Sequence, residues 1–287
     1  MAILTVNFQS NALYRHTTLT AVIPAETLPG MPPRPSDEWR TVYLLHGMVG
    51  DCNDWLHNTP LVELATLTDT AFIMPSGDNS FYLDGKASYA KYSQFIGEEL
   101  VDFTRRILPL SKKREDTTIA GLSMGGYGAI HNGLRYHETF GHIVALSSAL
   151  TLEAGLKIAA GATELDELGH DRAYYEAIYG DLEAAARSDI NASVLARRVL
   201  GEATKPLDLY LACGWNDLLV TPNRNFVRAL REMGFPHTYE EGEGTHEWAF
   251  WSKFLRRGMA HVLGRAIPDG IPSQFNPFYV EKTEFEG

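Results

Sequence analysis

The chain has 287 residues, of which 45% are hydrophobic and 21% charged, and carries a formal net charge of −11. That balance excludes a nucleic-acid partner, because phosphate-backbone binding rests on clustered Lys and Arg. The one basic run, Lys112-Lys113-Arg114, reads as a solvated loop.

Two cysteines, Cys52 and Cys213, give neither a disulfide framework nor a zinc signature, so no metal is expected. No stretch of 18 apolar residues is present to span a membrane. Met1 to Ser10 lacks the basic start and apolar run of a secretory leader. The expectation is a soluble, cytoplasmic protein with no membrane partner, long enough for one large α/β domain or two small ones.

In chain order, residues 3–8 and 17–23 alternate or run β-branched and predict an antiparallel pair that opens a sheet. Residues 24–38 hold Pro24, Pro29, Gly30, Pro32, Pro33 and Pro35, which no regular element tolerates, and read as a surface excursion. Thr41-Val42-Tyr43-Leu44-Leu45 is fully apolar apart from its first residue, the kind of strand that a parallel sheet covers on both faces. It runs into His46-Gly47-Met48-Val49-Gly50. Such an early strand-to-helix loop can offer a backbone N–H to a developing oxyanion, and Met48 is the choice here. His46 reads as a structural hydrogen-bonding residue. Asp51, Asn53 and Asp54 could face a cation, but capping the next helix is the preferred role.

Residues 58–68 predict that helix and Ala71-Phe72-Ile73-Met74-Pro75 the next buried strand. The polar, aromatic loop Ser76 to Asp84 follows at the strand end where open α/β sheets bind ligands. Phe81, Tyr82 and Asp84 are therefore candidate substrate-pocket residues. Residues 93–108 show helical spacing, and Thr117-Thr118-Ile119-Ala120 ends a buried strand.

Gly121-Leu122-Ser123-Met124-Gly125 comes next, followed by the helical stretch that begins Gly126-Tyr127-Gly128 and continues to about Tyr136. A serine between glycines at a strand-to-helix turn has the form of a nucleophile elbow. Ser123 would project over the sheet edge, with Met124 giving the second oxyanion N–H and the helix N-terminus favouring negative charge.

Residues 142–148 predict a strand. From about 150 to 205 the chain turns Ala- and Glu-rich, broken by glycines at 155, 161, 169, 180 and 201, and reads as a helical lid over the sheet edge. Residues 206–212 resume the sheet and end in Cys213-Gly214-Trp215-Asn216-Asp217. Asp217 follows a late strand, where the triad acid belongs; Asp208, its rival, stands at the strand's start. Residues 222–233 predict a helix and 237–241 the last strand. His246 falls on the loop before the helix 249–263 and is preferred as base over His237 and His261. The order Ser123, Asp217, His246 is that of an α/β hydrolase. The fold class expected is therefore α/β: an α/β-hydrolase fold with a mostly parallel central sheet, helices on both faces and a helical lid insertion. Residues 1–265 would form one domain and 266–287 a C-terminal extension. Its prolines and aromatics suit an arm packed on the body or on a neighbouring subunit of a homo-oligomer.

Several segments in order resemble the esterase D-like family of α/β hydrolases. They are Leu44-Leu45-His46-Gly47, the Ser80-Phe81-Tyr82-Leu83-Asp84 loop, the Gly121 to Ala129 elbow, Cys213 to Leu219 and Thr245 to Trp251. The branch most similar is the tributyrin (acyl) esterases, related to feruloyl and acetyl-xylan esterases and to S-formylglutathione hydrolases. The resemblance spans roughly residues 1–263. It implies a carboxylesterase of small acyl groups that needs no cofactor, with Ser123, Asp217 and His246 as triad and the Met48 and Met124 amides as oxyanion hole. Leu122 and Tyr127 stand where the S-formylglutathione hydrolase branch has histidines, which counts against a thioester substrate. Phe81, Tyr82, Trp215 and Trp248 would suit a flat phenolic acyl group, so the alternative is a feruloyl or acetyl-xylan esterase, or a thioesterase of the S-formylglutathione type. A non-catalytic binding protein on the same fold is a further one. A dehydrogenase is disfavoured, since no G-x-G-x-x-G follows the first parallel strand.

Overall fold

The computed structural model describes residues 1–26, 36–162 and 164–271. Strands β1 (Ala2–Ser10) and β2 (Arg15–Ile23) form the expected antiparallel pair, in register from Ala2↔Ile23 to Ser10↔Arg15. Most of the proline-rich excursion, residues 27–35, lies outside the described residues. Strand β3 (Arg40–Leu45) is followed by α1 (Asp54–Asn58) and α2 (Leu61–Thr68). The helix expected over 58–68 thus starts earlier and is interrupted. Pro60 has no N–H to donate and pushes the residue before it out of helical space, so Thr59 is extended at φ −139° and ψ 159°. Capping at Asp51, Asn53 and Asp54 is also corrected: no side chain caps α1. Asn53 Oδ1 instead accepts from the Thr20 hydroxyl at 2.7 Å, and Asp51 Oδ1 from the Asn53 amide at 2.6 Å.

Strand β4 (Thr70–Pro75) leads to α3 (Tyr92–Gln94), a π turn over Phe95–Glu99 and α4 (Leu100–Ile107). At the end of the π turn the Glu99 carboxylate accepts from the Ser10 hydroxyl and the Asn11 and Ala12 amides, tying the β1–β2 hairpin to this helical run. Arg114 is not merely solvated, as its sequence neighbours suggested. Its guanidinium donates to the carbonyls of His137 and Pro206, the latter at 2.9 Å.

Strand β5 (Thr117–Leu122), helix α5 (Met124–Arg135) and strand β6 (His142–Leu146) come next. Strand β6 stops two residues before the expected end, where Ser147 adopts φ 45°. The helical insertion holds α6 (Leu152–Lys157), α7 (Arg172–Tyr179), α8 (Leu182–Ala186) and α9 (Ala192–Glu202). Gly161, Gly169 and Gly180 break it as expected, each at positive φ between helices, but the other two do not. Gly155 and Gly201 sit inside helices, whereas Asp171, Asp181 and Asn191 start new ones by accepting the amides of Tyr174, Ala184 and Ser193. The chain closes with β7 (Asp208–Gly214), α10 (Val220–Met233), β8 (Thr238–Gly242) and α11 (Trp248–Leu263). Residues 272–287, most of the expected extension, lie outside the described residues.

The eight strands form one sheet in the order β1-β2-β4-β3-β5-β6-β7-β8. Strands β3 to β8 pair in parallel, and β2 runs antiparallel to both β1 and β4. This is the α/β-hydrolase arrangement. Alternate strand residues face opposite sides. Tyr43, Leu45, Ile73, Ile119, Ile143, Leu209 and Leu211 pack with α4, α5, the insertion and α10. Val42, Leu44, Phe72, Met74, Val144, Leu146 and Tyr210 pack with α1, α2 and α11. Strand β3 is flanked by β4 on one side and β5 on the other, so chain order reverses there. The crevice between the C-terminal ends of β3 and β5 is the switch point where such sheets hold ligands. No helix among the described residues is long and apolar enough to cross a membrane.

Candidate active site

Ser123 stands at that switch point, between the end of β5 and the first turn of α5. Its backbone lies at φ 53° and ψ −118°, outside the ordinary regions for an L-residue. Such a conformation costs on the order of 1–3 kcal/mol and persists only where the surroundings impose it. The surroundings are explicit: the Ser123 amide donates to Leu146 O at 2.9 Å, and its carbonyl accepts from Tyr127 at 3.0 Å and Ala149 at 2.9 Å. The flanking glycines serve different ends. A Cβ on Gly121 would strike the Gly125 backbone across the turn. One on Gly125 would meet Leu45 O and His46 O at 2.5 Å, so this glycine admits the α5 backbone to the β3 loop. A Gly125→Ala variant is expected to lose about 1–3 kcal/mol of stability through overpacking against main chain that cannot yield. Urea unfolding beside wild type would measure it, and equal midpoints and slopes would refute the close approach.

The loops after β7 and β8 bring two more groups to the serine. They are joined by main-chain bonds from Trp215 N to Gly242 O (2.8 Å) and from Asn216 N to Gly244 O (3.2 Å). His246 Nε2 lies 3.0 Å from Ser123 Oγ, and His246 Nδ1 lies 3.1 Å from both carboxylate oxygens of Asp217. An ionised carboxylate only accepts hydrogen bonds, so the imidazole proton belongs on Nδ1 and Nε2 is left to accept from the serine. Asp217 is buried. Burial opposes its ionisation, but hydrogen bonds from His246, Ser147 and the Leu219 amide outweigh that, and the carboxyl sits below its ordinary range.

Ser147 carried no signal in the sequence beyond ending a strand between those of the nucleophile and the acid. Its hydroxyl donates to Asp217 and accepts the Trp251 indole N–H at 3.1 Å. The Trp251 ring meets the His246 ring edge-on at 4.8 Å, so one tryptophan braces both partners of the serine. Cys213 lies fully buried beneath this group, its thiol pushed up by burial and by the Asp217 charge. Asp208 sits at the opposite end of β7, between His142 Nδ1 (3.0 Å) and His261 Nε2 (2.8 Å). His237 bonds its own loop at Phe235 O.

The His46–Gly50 loop closes the other side. A Cβ on Gly47 would lie 3.6 Å from Ser123 Cβ, so the loop passes Ser123 at the residue before Met48. The loop is pinned by Val49 N to Asn79 Oδ1 (2.8 Å), Tyr82 OH to His46 O (3.0 Å) and Gly77 N to His46 Nε2 (2.8 Å). His46 is therefore structural, as expected, and desolvation holds its pKa below the usual imidazole value.

The substrate-pocket expectations need correction. Phe81 and Tyr82 are 2% and 0% exposed. Phe81 packs its ring on Tyr127 and Tyr179, and Tyr82 holds the His46 carbonyl. Both take positive φ, 53° and 56°, folding an apolar pair back into the core that an alternating pattern would have exposed. Asp84 Oδ1 accepts the Ser93 and Gln94 amides at 3.0 and 3.1 Å, so it caps the start of α3. Trp248 is half-buried edge-on to Trp55 and Trp251 on the α11 face and buttresses the latter. Trp215 alone of the aromatic candidates is open, at 55% exposure. With Leu218 (57%) and Val49 (92%) it gives the loops around Ser123 an apolar rim. No group of three or more His, Cys, Asp or Glu among the described residues could hold a metal ion.

The model of the Putative esterase family matches residues 10–262. The chain belongs to that family. It is a carboxylesterase. An acetyl esterase of Caldicellulosiruptor saccharolyticus is 39% identical over 257 residues, which cover 89% of this chain and 96% of that one. An S-formylglutathione hydrolase structure from Staphylococcus aureus is 28% identical at a TM-score of 0.76, covering 91% of this esterase and 98% of that chain. A fluorophosphonate-binding serine hydrolase from the same organism, solved with substrate bound, is 27% identical at 0.77 with the same coverage. The esterase thus aligns over nearly its whole length with an acetyl esterase, an S-formylglutathione hydrolase and a serine hydrolase.

Proposed function

We propose that this esterase hydrolyses short-chain acyl esters through Ser123, His246 and Asp217, by way of an acyl-enzyme. The observation that carries the reading is the contact of His246 Nε2 with Ser123 Oγ at 3.0 Å while Nδ1 faces the buried Asp217 carboxylate. His246 removes the Ser123 proton as Oγ attacks the ester carbonyl, and Asp217 stabilises the imidazolium that forms. The developing oxyanion takes hydrogen bonds from the Met124 amide, at the first turn of α5, and from the Met48 amide. Each such donor contributes roughly 3–4 kcal/mol to the transition state. His246 then passes its proton to the leaving alcohol. Water enters, loses a proton to the same nitrogen and attacks the acyl carbon, and His246 returns that proton to Ser123 Oγ as the acyl–oxygen bond breaks and the acid leaves.

Support for a short acyl group comes from the 39% identical acetyl esterase and from the insertion, which reaches the oxyanion loop where Tyr174 OH meets Met48 Sδ. The apolar rim of Val49, Trp215 and Leu218 suits an organic ester over a charged one. The test is turnover of p-nitrophenyl esters from acetyl to octanoyl, beside methyl ferulate and S-formylglutathione. A maximum at the shortest chains is expected. Dominance of ferulate or of the thioester would overturn the substrate class while keeping the triad.

A further inference from the structure

The tyrosine hydroxyls near the elbow are spent on oxygen, with one exception. Tyr82 donates to His46 O (3.0 Å), Tyr127 to Ile190 O (2.7 Å) and Tyr175 to Asp166, while Tyr179 bonds Thr151 Oγ1 at 3.0 Å. Among the described residues Tyr174 bonds the thioether of Met48 instead, with its hydroxyl 3.1 Å from Sδ. A thioether is a weak acceptor, whereas a phenol is a capable donor. The sulfur holds the hydroxyl less strongly than an oxygen acceptor would, so an ether or hydroxyl oxygen brought to the same place can displace it.

That place adjoins the loop that passes Ser123. Met48 follows Gly47, whose Cβ position lies 3.6 Å from Ser123 Cβ. The phenol is also held in advance. His170 stacks on its ring at 3.7 Å and 4°, and Asp171 accepts the Tyr174 amide at 2.9 Å to start α7. Asp166 fixes the preceding turn through the Leu168 and His170 amides, each at 2.9 Å, and the Tyr175 hydroxyl. Burial and the Asp166 charge raise the Tyr174 pKa, so the group remains a proton donor. A donor held rigidly loses little entropy when it binds.

We propose that Tyr174 is a specificity-determining residue whose hydroxyl turns from Met48 Sδ to an ether or hydroxyl oxygen carried by the ester substrate. The proposal rests on the reading of Ser123 as nucleophile. It makes the preferred substrates oxygenated short esters, of the alkoxyacyl or alkoxyalkyl kind, over pure hydrocarbon ones of equal length.

Two pairs of isosteres test it. On the acyl side, p-nitrophenyl methoxyacetate is compared with p-nitrophenyl butanoate; on the alcohol side, 2-methoxyethyl acetate with butyl acetate. The quantity read is the oxygen-to-carbon ratio of kcat/KM, so intrinsic reactivity cancels between enzymes. Tyr174→Phe is expected to lower that ratio about five- to tenfold in one pair, the size of one lost hydrogen bond, and the pair affected tells which side of the ester faces the residue. Equal changes in both members of both pairs would overturn the proposal and leave Tyr174 a prop for the loop. Should Tyr174→Phe not fold, Met48→Leu carries the test. Removing the competing sulfur raises the ratio if the proposal holds, and an unmoved ratio overturns it. Ser123→Ala runs alongside. Turnover surviving in that variant defeats the active-site reading itself, whereas serine-dependent turnover with unmoved ratios defeats only the role of Tyr174.

Discussion

Ser123→Ala is expected to lower kcat on p-nitrophenyl acetate by about 10⁴- to 10⁶-fold while leaving the far-ultraviolet circular dichroism spectrum unchanged. The range reflects how a triad works as a unit: without the nucleophile, what remains is binding and oxyanion stabilisation of water attack. The fold should tolerate the change, because the turn is imposed by main-chain bonds from Ser123 to Leu146, Tyr127 and Ala149, none of which uses the hydroxyl. A fluorophosphonate probe should label the wild type stoichiometrically and the variant not at all. Turnover in the variant within tenfold of wild type would remove Ser123 from the mechanism.

Asp217→Asn is the second large effect, with kcat expected to fall by about 10⁴-fold. The shape is conserved but the hydrogen-bond polarity is not. An amide NH₂ facing His246 Nδ1 makes that nitrogen an acceptor and moves the ring proton to Nε2, which then has no lone pair for the Ser123 proton. A variant retaining a tenth of wild-type activity would show that Asp217 does not set the tautomer. Stability should respond in a defined direction as well. The Asp217 carboxyl lies below its ordinary value of 3.8 in the folded protein, so the unfolded chain binds the proton first. Its contribution to stability is present above about pH 4 and is lost as pH falls through the folded value. Acid unfolding of the asparagine variant should accordingly be shallower than that of wild type.

Much of this arrangement was legible in the chain because its signals are local. A β-branched run before Gly-x-Ser-x-Gly, an acid after a late strand and a histidine before the last helix each name a loop at one end of the sheet. Parallel pairing then brings those loops together. What escaped were features set by contacts distant in sequence. Ser147 gains its place under Asp217 only because β6 lies between β5 and β7. Phe81 and Tyr82 looked like pocket residues because their loop lies at the strand end where open α/β sheets bind ligands. Two successive positive φ values turn them inward, and nothing in Ser-Phe-Tyr-Leu-Asp announces that. Pro60, by contrast, was a readable break that helical periodicity across 58–68 obscured.

Both thiols of the protein are buried, and Cys213 sits near the C-terminal end of β7, close enough to Asp217 to feel its charge. Its sulfur is shielded from solvent and held in the unreactive protonated form by burial first and by Asp217 second. Alkylation at Cys213 therefore has to wait for the catalytic end of the sheet to part. A thiol reagent becomes a clock for that opening, read by mass with no engineered label. The same shielding separates two kinds of inhibitor. A phosphonate aimed at Ser123 is expected to silence the intact enzyme at once, whereas a thiol reagent should act only at the pace at which the protein comes apart.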